Sequence, residues 1–423
     1  MLDNPKKVNY NFSQLKTMAY DMVTFYEGIN SVKQQPKPNE IVKLHAPISF
    51  SAQFLDGAFV EIIGDSDNTK YVVEFIDSKT NKVIHSSTIG VYHWVKTSLK
   101  YYVDWLIRIT PDNPQYKPIE YKFDLRNKRV LINFESSSIG DTIAWIPYVE
   151  EFRKKHGCDV FCSTFHNSLF ISEYPTINFV NPNEDVFNLY AKYSIGWFYE
   201  NGNPDLNSHK THFTNQPLQK TCSDILGLDY VEIKPNVKKF EYVGELPQRY
   251  FTFSLQATAQ SKYWNYQNGW YELIELLKGH GLVGVCVDKY VSFGTTVQMN
   301  SMPHNAVDKT GLLLEETMGV VGRSEFHIGL SSGLSWLAWA VNKPVVMISG
   351  FTDPILEFSE NCIRIHNKTV CNGCFTNPLY TFDKSDWGWC PLHKGTDRQF
   401  ECTKSITPHM VYTQIISNGL LSK

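Results

Sequence analysis

The chain has 423 residues, 42% of them hydrophobic, with 40 Lys and Arg set against 43 Asp and Glu. That length exceeds what one hydrophobic core serves, so two or three domains are expected. The charge balance excludes a broad basic surface, and no stretch approaches the length of a bilayer span, so neither nucleic acid nor membrane is an expected partner.

The amino end, Met1 to Lys7, lacks the apolar core of a signal peptide, which predicts a cytoplasmic protein. A helix is expected between Phe12 and Tyr26. From there to residue 125, short β-branched and aromatic runs alternate with turn signals: Phe50 to Phe54, Ala58 to Ile63, Tyr71 to Ile76, Val83 to Ile89 and Trp94 to Ile109. Asp56-Gly57 between two such runs signals a hairpin, and the pattern predicts a β-rich sandwich or barrel over residues 1–125. Asp65-Ser66-Asp67 has the spacing of the Asp-x-Asp metal site of some sugar transferases, but Gly64 and Asn68 flank it and make it a turn between strands.

After residue 125 the period changes to strand, helix, strand. Val130 to Phe134 reads as a strand, Thr142 to His156 as a helix closed by Gly157, and Asp159 to Ser163 as the next strand. A polar linker, Asp229 to Gln248, ends this first Rossmann-like domain, taken as 126–240. A second series, 241–360, alternates strand Tyr250 to Leu255, helix Trp270 to Lys278, strand Val283 to Val287, helix Leu313 to Val321, strand Glu325 to Gly329, helix Leu334 to Val341 and strand Val345 to Ser349. Two doubly wound units in tandem place a cleft between facing carboxyl edges, where such sheets bind ligands.

Three sites fall on those edges. Asp141, in Gly140-Asp141 after the first strand, is either a general base or the cap of the helix that follows. Gln256 to Trp264 forms a loop after strand Tyr250 to Leu255; its Lys262 is placed to offset the charge of a leaving diphosphate, with Gln256 and Trp264 as further donor contacts. Ser331, Ser332, Gly333 and Leu334 lie between a strand and a helix amino end, where backbone N–H groups can approach a diphosphate. The plainer reading of that turn is a tight strand-to-helix connection with Ser caps. No Walker motif and no Gly-x-Gly-x-x-Gly occurs, which argues against P-loop ATPases and simple dinucleotide dehydrogenases.

Residues 361–423 form a cysteine-rich tail. Cys371 and Cys374 make a Cys-x-x-Cys knuckle, with Cys390 after fifteen intervening residues and Cys402 after eleven more, a four-sulfur metal site in a cytosolic chain. Zinc and iron both accept tetrahedral thiolates, and His366 and His393 are spare ligands. Four sulfurs leave no open position, so no catalytic metal is expected and the site is structural. Cys158, Cys162, Cys222, Cys286 and Cys362 sit in or beside apolar runs, as small core residues do.

Taken in order, Gly140-Asp141, Lys262-x-Trp264 and Gly329-Leu-Ser-Ser-Gly-Leu-Ser-Trp-Leu-Ala resemble the heptosyltransferase family of inverting GT-B glycosyltransferases, over about residues 128 to 358. The lipopolysaccharide branch shows Asp-Thr-Gly-x-x-His in the last motif, where this chain has Ser331, Ser332, Gly333 and Trp336. With a β-rich amino domain and a cysteine-rich tail, the chain is more similar to the bacterial autotransporter heptosyltransferases. That resemblance implies heptose transfer from ADP-heptose to serines of an autotransporter adhesin passenger domain, Asp141 as base, Lys262 on the donor, iron on the four cysteines, and a homo-oligomer of dodecameric size. The alternatives are another GT-B nucleotide-sugar transferase, acting on lipopolysaccharide or carrying a hexose, and an inactive, metal-stapled adhesin chaperone.

Overall fold

The structure, a computed structural model, describes residues 40–421 apart from 46, 66 and 67. The helix expected between Phe12 and Tyr26, and most of the Asp65-Ser66-Asp67 segment, lie outside the described residues.

The β-rich region contains β1 (Glu40–His45), β2 (Ile48–Gln53), β3 (Phe59–Ile63), β4 (Tyr71–Asp77), β5 (Lys82–Ile89), β6 (Trp94–Lys96), β7 (Trp105–Pro111) and β8 (Ile119–Lys122). They form two antiparallel sheets, ordered β1-β2-β3-β6 and β5-β4-β7-β8. Strand β7 buries Trp105, Ile107 and Ile109 on one face, and β4 buries Tyr71, Val73 and Phe75. These alternating faces and those of β2 and β3 share one core, which makes the region a small sandwich. Asp56-Gly57 is the β2–β3 hairpin, with Gly57 at φ +84°, a conformation that suits a residue without Cβ.

The run Trp94 to Ile109, expected to be one strand, is two. Residues 97–104 cross from the first sheet to the second, held by Thr97 N–H on the Ala58 carbonyl (2.9 Å) and Tyr102 N–H on the Ile225 carbonyl (2.8 Å). Both halves are β-branched and aromatic, so composition alone hides the break.

The first α/β unit has β9 (Arg129–Phe134), α1 (Ile139–His156), β10 (Asp159–Ser163), β11 (Asn178–Val180), β12 (Ala191–Ile195) and α2 (Leu218–Ile225), with an all-parallel sheet ordered β11-β10-β9-β12. Gly157 ends α1 at φ +61°. This unit and the sandwich share apolar packing: Phe54 lies 4.3 Å from Phe123 and 5.2 Å from Tyr190 between ring centroids, and Phe54 bridges to Ala191 at the edge of β12.

The second unit has β13 (Tyr250–Phe253), α3 (Gly269–Lys278), β14 (Val283–Cys286), β15 (Val307–Asp308), α4 (Leu314–Arg323), β16 (His327–Leu330), α5 (Gly333–Ala340), β17 (Val345–Ile348) and β18 (Cys362–Ile365). Its parallel sheet runs β15-β14-β13-β16-β17-β18. The edge strand β18 and the helix α6 (Pro408–Ser417), which packs on α3 and β18, come from the region read as a metal-binding tail. That helix carried a readable signal: Thr407 caps it by accepting from Met410 N–H (3.2 Å), with Pro408 at its first position. The two α/β units meet where α1 packs on α5. There a Cβ on Gly333 would lie 2.5 Å from Ile139 Cγ2, and one on Gly140 would lie 3.2 Å from Gly333 Cα, so two glycines allow the helix starts to abut.

Candidate active site

The loops that follow β9, β12, β13 and β16 converge between the two sheets, at their carboxyl edges. Asp141 sits in the first turn of α1, but it does not cap that helix: the cap is Ser138, without a side-chain hydrogen bond. The Asp141 Oδ2 instead accepts from Ser136 Oγ (2.6 Å) and from Trp197 Nε1 (2.8 Å). Oδ1 makes no hydrogen bond among the described residues. Trp197 follows β12 and is wedged against Phe213 and Trp145, with centroids 4.9 and 5.9 Å away, so its indole has little freedom. Burial pushes the Asp141 carboxyl above the ordinary carboxylate range, against the opposing pull of Ser136, Trp197, Lys262 and Lys384. A carboxylate so placed is a stronger base than one in water.

Lys262 ends a 3₁₀ turn, Gln260–Lys262, beyond β13. Its ammonium lies 5.4 Å above the centre of the Phe351 ring. Burial draws its pKa down, while Glu357 and Asp141 hold the charge in place and Lys384 opposes them. The preceding loop is anchored by Asp288, whose carboxylate accepts from Leu255 N–H (2.7 Å) and Gln256 N–H (3.3 Å) and whose pKa burial raises to about 6. Gln256 binds the Tyr290 backbone through both ends of its amide. Trp264 lies in the core, 5% exposed, donating its indole N–H to the Ile406 carbonyl (2.8 Å). Both residues, expected as donor contacts, are placed as braces for the loop and the tail.

The turn between β16 and α5 holds Ser331, Ser332, Gly333 and Leu334. Ser331 Oγ donates to Glu357, whose carboxylate also pairs with Arg364 (2.5 Å) and accepts from Thr352 Oγ1 (3.2 Å). Ser332 enters the helix in an extended conformation with no side-chain cap, and its enclosed hydroxyl has no partner among the described residues. The amino end of α5 is therefore an uncapped helix terminus beside Lys262 and Asp141, suited to an anion. The sequence reading missed Ser136, Trp197, Glu357 and Lys384. The Gly196-Trp197 pair directly after β12 is the one of these with a signal, since it too stands at a strand's carboxyl edge.

In the tail, Cys402 feels the charge of Cys371, Cys374 and Cys390, Cys371 that of Cys374 and Cys390, and Cys374 that of Cys390. Burial and this mutual repulsion push the Cys371 and Cys402 thiols up to about 12 and that of Cys374 to about 11. A cation among them would reverse that repulsion. Ligand atoms of Cys371, His393 and Glu401 also lie within 4.8 Å of one another, so His393 stays a spare ligand. His366 is not in that group, and its buried Nδ1 has no partner among the described residues.

The profile of glycosyltransferase family 9, the heptosyltransferases, matches residues 143–378. The chain belongs to this family. This heptosyltransferase is 37% identical over 343 residues to the autotransporter heptosyltransferase Aah of Escherichia coli, covering 80% of the present chain and 86% of Aah. It is 34% identical over 390 residues to the autotransporter heptosyltransferase BAHTCr of Citrobacter rodentium, covering 91% of each. Its fold matches the crystal structure of TibC from enterotoxigenic E. coli, an iron-containing dodecameric glycosyltransferase. The TM-score is 0.81 at 33% identity, over 90% of this chain and 98% of that one. TibC has also been solved in complex with ADP-D-β-D-heptose, and that structure superposes equally well, with a TM-score of 0.81. The enzyme is thus an autotransporter-type heptosyltransferase with an α/β glycosyltransferase fold. Among the described residues no helix is long and apolar enough to cross a membrane.

Proposed function

We propose that this enzyme transfers heptose from ADP-heptose to serine hydroxyls of an autotransporter adhesin passenger domain in the cytoplasm, with inversion at the anomeric carbon. The observation that carries the reading is Asp141: its Oδ2 is held by Ser136 and Trp197, and Lys262 bears on it from the other α/β unit. The serine Oγ attacks the anomeric carbon as its proton passes to Asp141. The bond from that carbon to the diphosphate oxygen breaks, and its electron pair leaves with ADP. Lys262 and the uncapped α5 amides around Ser332, Gly333 and Leu334 meet the charge that develops on the departing diphosphate. A buried base suits this chemistry, because serine is a weak acid and its proton must leave as the C–O bond forms. Gln256 and Trp264 serve by fixing the Lys262 loop.

Cys371, Cys374, Cys390 and Cys402 are proposed to hold one iron ion, for which their soft thiolates are suited, although among the described residues only Cys371 of the four lies in a group at ligating distance, with His393 and Glu401. Bound there, the ion supplies folding energy to the tail and takes no part in transfer. A homo-oligomer like that of TibC is part of the same proposal. The test is intact mass of a passenger fragment after incubation with the purified enzyme and ADP-heptose. Stepwise heptose increments, absent with Asp141→Asn, are expected. An unchanged mass with the unaltered enzyme, while ADP-heptose binds, would refute the acceptor.

A further inference from the structure

The tail does more than enclose a cysteine cluster: its segment 382–387 is fastened to the Lys262 loop at both ends. At one end Phe382 packs edge-on against Phe351, 5.2 Å between centroids, and Phe351 is the ring beneath the Lys262 ammonium. At the other, Gln260 N–H donates to the Trp387 carbonyl (3.0 Å) and Trp387 Nε1 donates to Gln260 Oε1 (3.2 Å), while the Trp387 ring lies 5.9 Å from Tyr263. Lys384 stands between these two anchors. Its acidic neighbours are already engaged: Asp383 Oδ1 accepts from Ser385 N–H (2.8 Å) and Ser385 Oγ (2.6 Å), and Asp386 pairs with Lys394 at 2.6 Å. Among the described residues the Lys384 side chain is exposed and makes no hydrogen bond or ion pair. Two cations bear on Asp141, Lys262 and Lys384, and the charge of Lys384 also reaches Lys262.

A second ammonium therefore stands within electrostatic reach of Lys262 and Asp141 without a hydrogen bond or ion pair among the described residues. Like charges brought together at a cleft favour a multiply charged anion, which relieves their mutual repulsion. We propose that Lys384 is a donor-binding residue, pairing with the diphosphate of the nucleotide sugar opposite Lys262. This rests on the reading of the cleft as a nucleoside-diphosphate-sugar site. It makes the tail part of the donor pocket.

The test compares binding of ADP and of AMP to the full-length protein by titration calorimetry, for the unaltered chain, Lys384→Ala and Lys384→Arg. A lost charge-assisted contact lowers ADP affinity by roughly tenfold or more in Lys384→Ala. AMP affinity should hold steady and Lys384→Arg should recover most of the loss. The same Ala variant should raise the KM for the sugar nucleotide more than it lowers kcat. An ADP-to-AMP affinity ratio unchanged in Lys384→Ala overturns the assignment while leaving the donor site standing. Failure of the unaltered protein to prefer ADP over AMP overturns both the assignment and the donor reading. Equal loss of ADP and AMP affinity, unrescued by Arg, also overturns it, because that is the pattern of a disturbed loop.

Discussion

At Asp141 the chemistry depends on which oxygen is occupied. Ser136 and Trp197 both donate to Oδ2, so the carboxylate is oriented by neighbours while its other oxygen carries no bond among the described residues. Asp141→Asn keeps the shape and removes the base, so kcat should fall by roughly two to four powers of ten with donor affinity little changed, measured by steady-state transfer and by calorimetry. Trp197→Phe tests the orientation. The indole N–H favours the ionised carboxylate, so its loss raises the Asp141 pKa further above the carboxylate range. Because the base acts only when ionised, the acid limb of the kcat/KM profile should move to higher pH, and an unmoved limb would show that Trp197 does not hold the base. Asp141 and Lys262 were legible in the sequence because each follows a strand that opens a βαβ unit. Trp197 stands visibly at a strand's carboxyl edge, but its pairing with Asp141 spans 56 positions, and Ser136, five positions from Asp141, is one of three consecutive serines that the sequence does not tell apart. Trp264 illustrates the opposite ambiguity: an aromatic beside a lysine reads as a pocket wall, yet its indole is fixed in the core by the Ile406 carbonyl.

Elements meet here through small residues at their ends. The starts of α1 and α5 touch at Gly140 and Gly333, which brings Asp141 from one unit and a helix amino end from the other to a single cleft. Gly333→Ala should force its new methyl into Ile139, destabilising the fold by roughly 1–3 kcal/mol, read as a lower melting temperature. Adding Ile139→Ala should return part of that loss; if the two effects simply add, the contact is not the cause. The helices and most strands of both α/β units could be placed from periodicity, since their apolar repeats are regular. The missed elements, β1, β8, β11, β12, β15, β18 and α6, are short or lie outside any clear repeat, and the broken run at Trp94 to Ile109 has strand composition throughout. Long-range packing, which sequence composition does not encode, assigned the strands among them, whereas α6 had a local signal in Thr407-Pro408.

At the scale of the whole molecule, the sandwich and the first α/β unit share one core, and the tail is woven into the second: β18 pairs with β17, α6 covers α3, and the Ile406 carbonyl binds Trp264. If Cys390 is a ligand, Cys390→Ser should lower bound iron, measured by elemental analysis, and make residues 371–402 more sensitive to protease. The far-UV spectrum should stay largely intact, because neither parallel sheet depends on that segment for its strands. Full metal occupancy in the Ser variant would point to His393 as the replacement ligand.

The weaving of the tail also sets an order of assembly during synthesis. A chain paused on the ribosome before residue 408 has β13 to β17 in place, but α3 is bare where α6 should lie, and a chain paused before residue 384 lacks the second ammonium at the cleft. Sugar transfer is therefore expected only once residues 384 and 408–417 have been made, so that a nascent chain stopped short of them should leave activated heptose untouched.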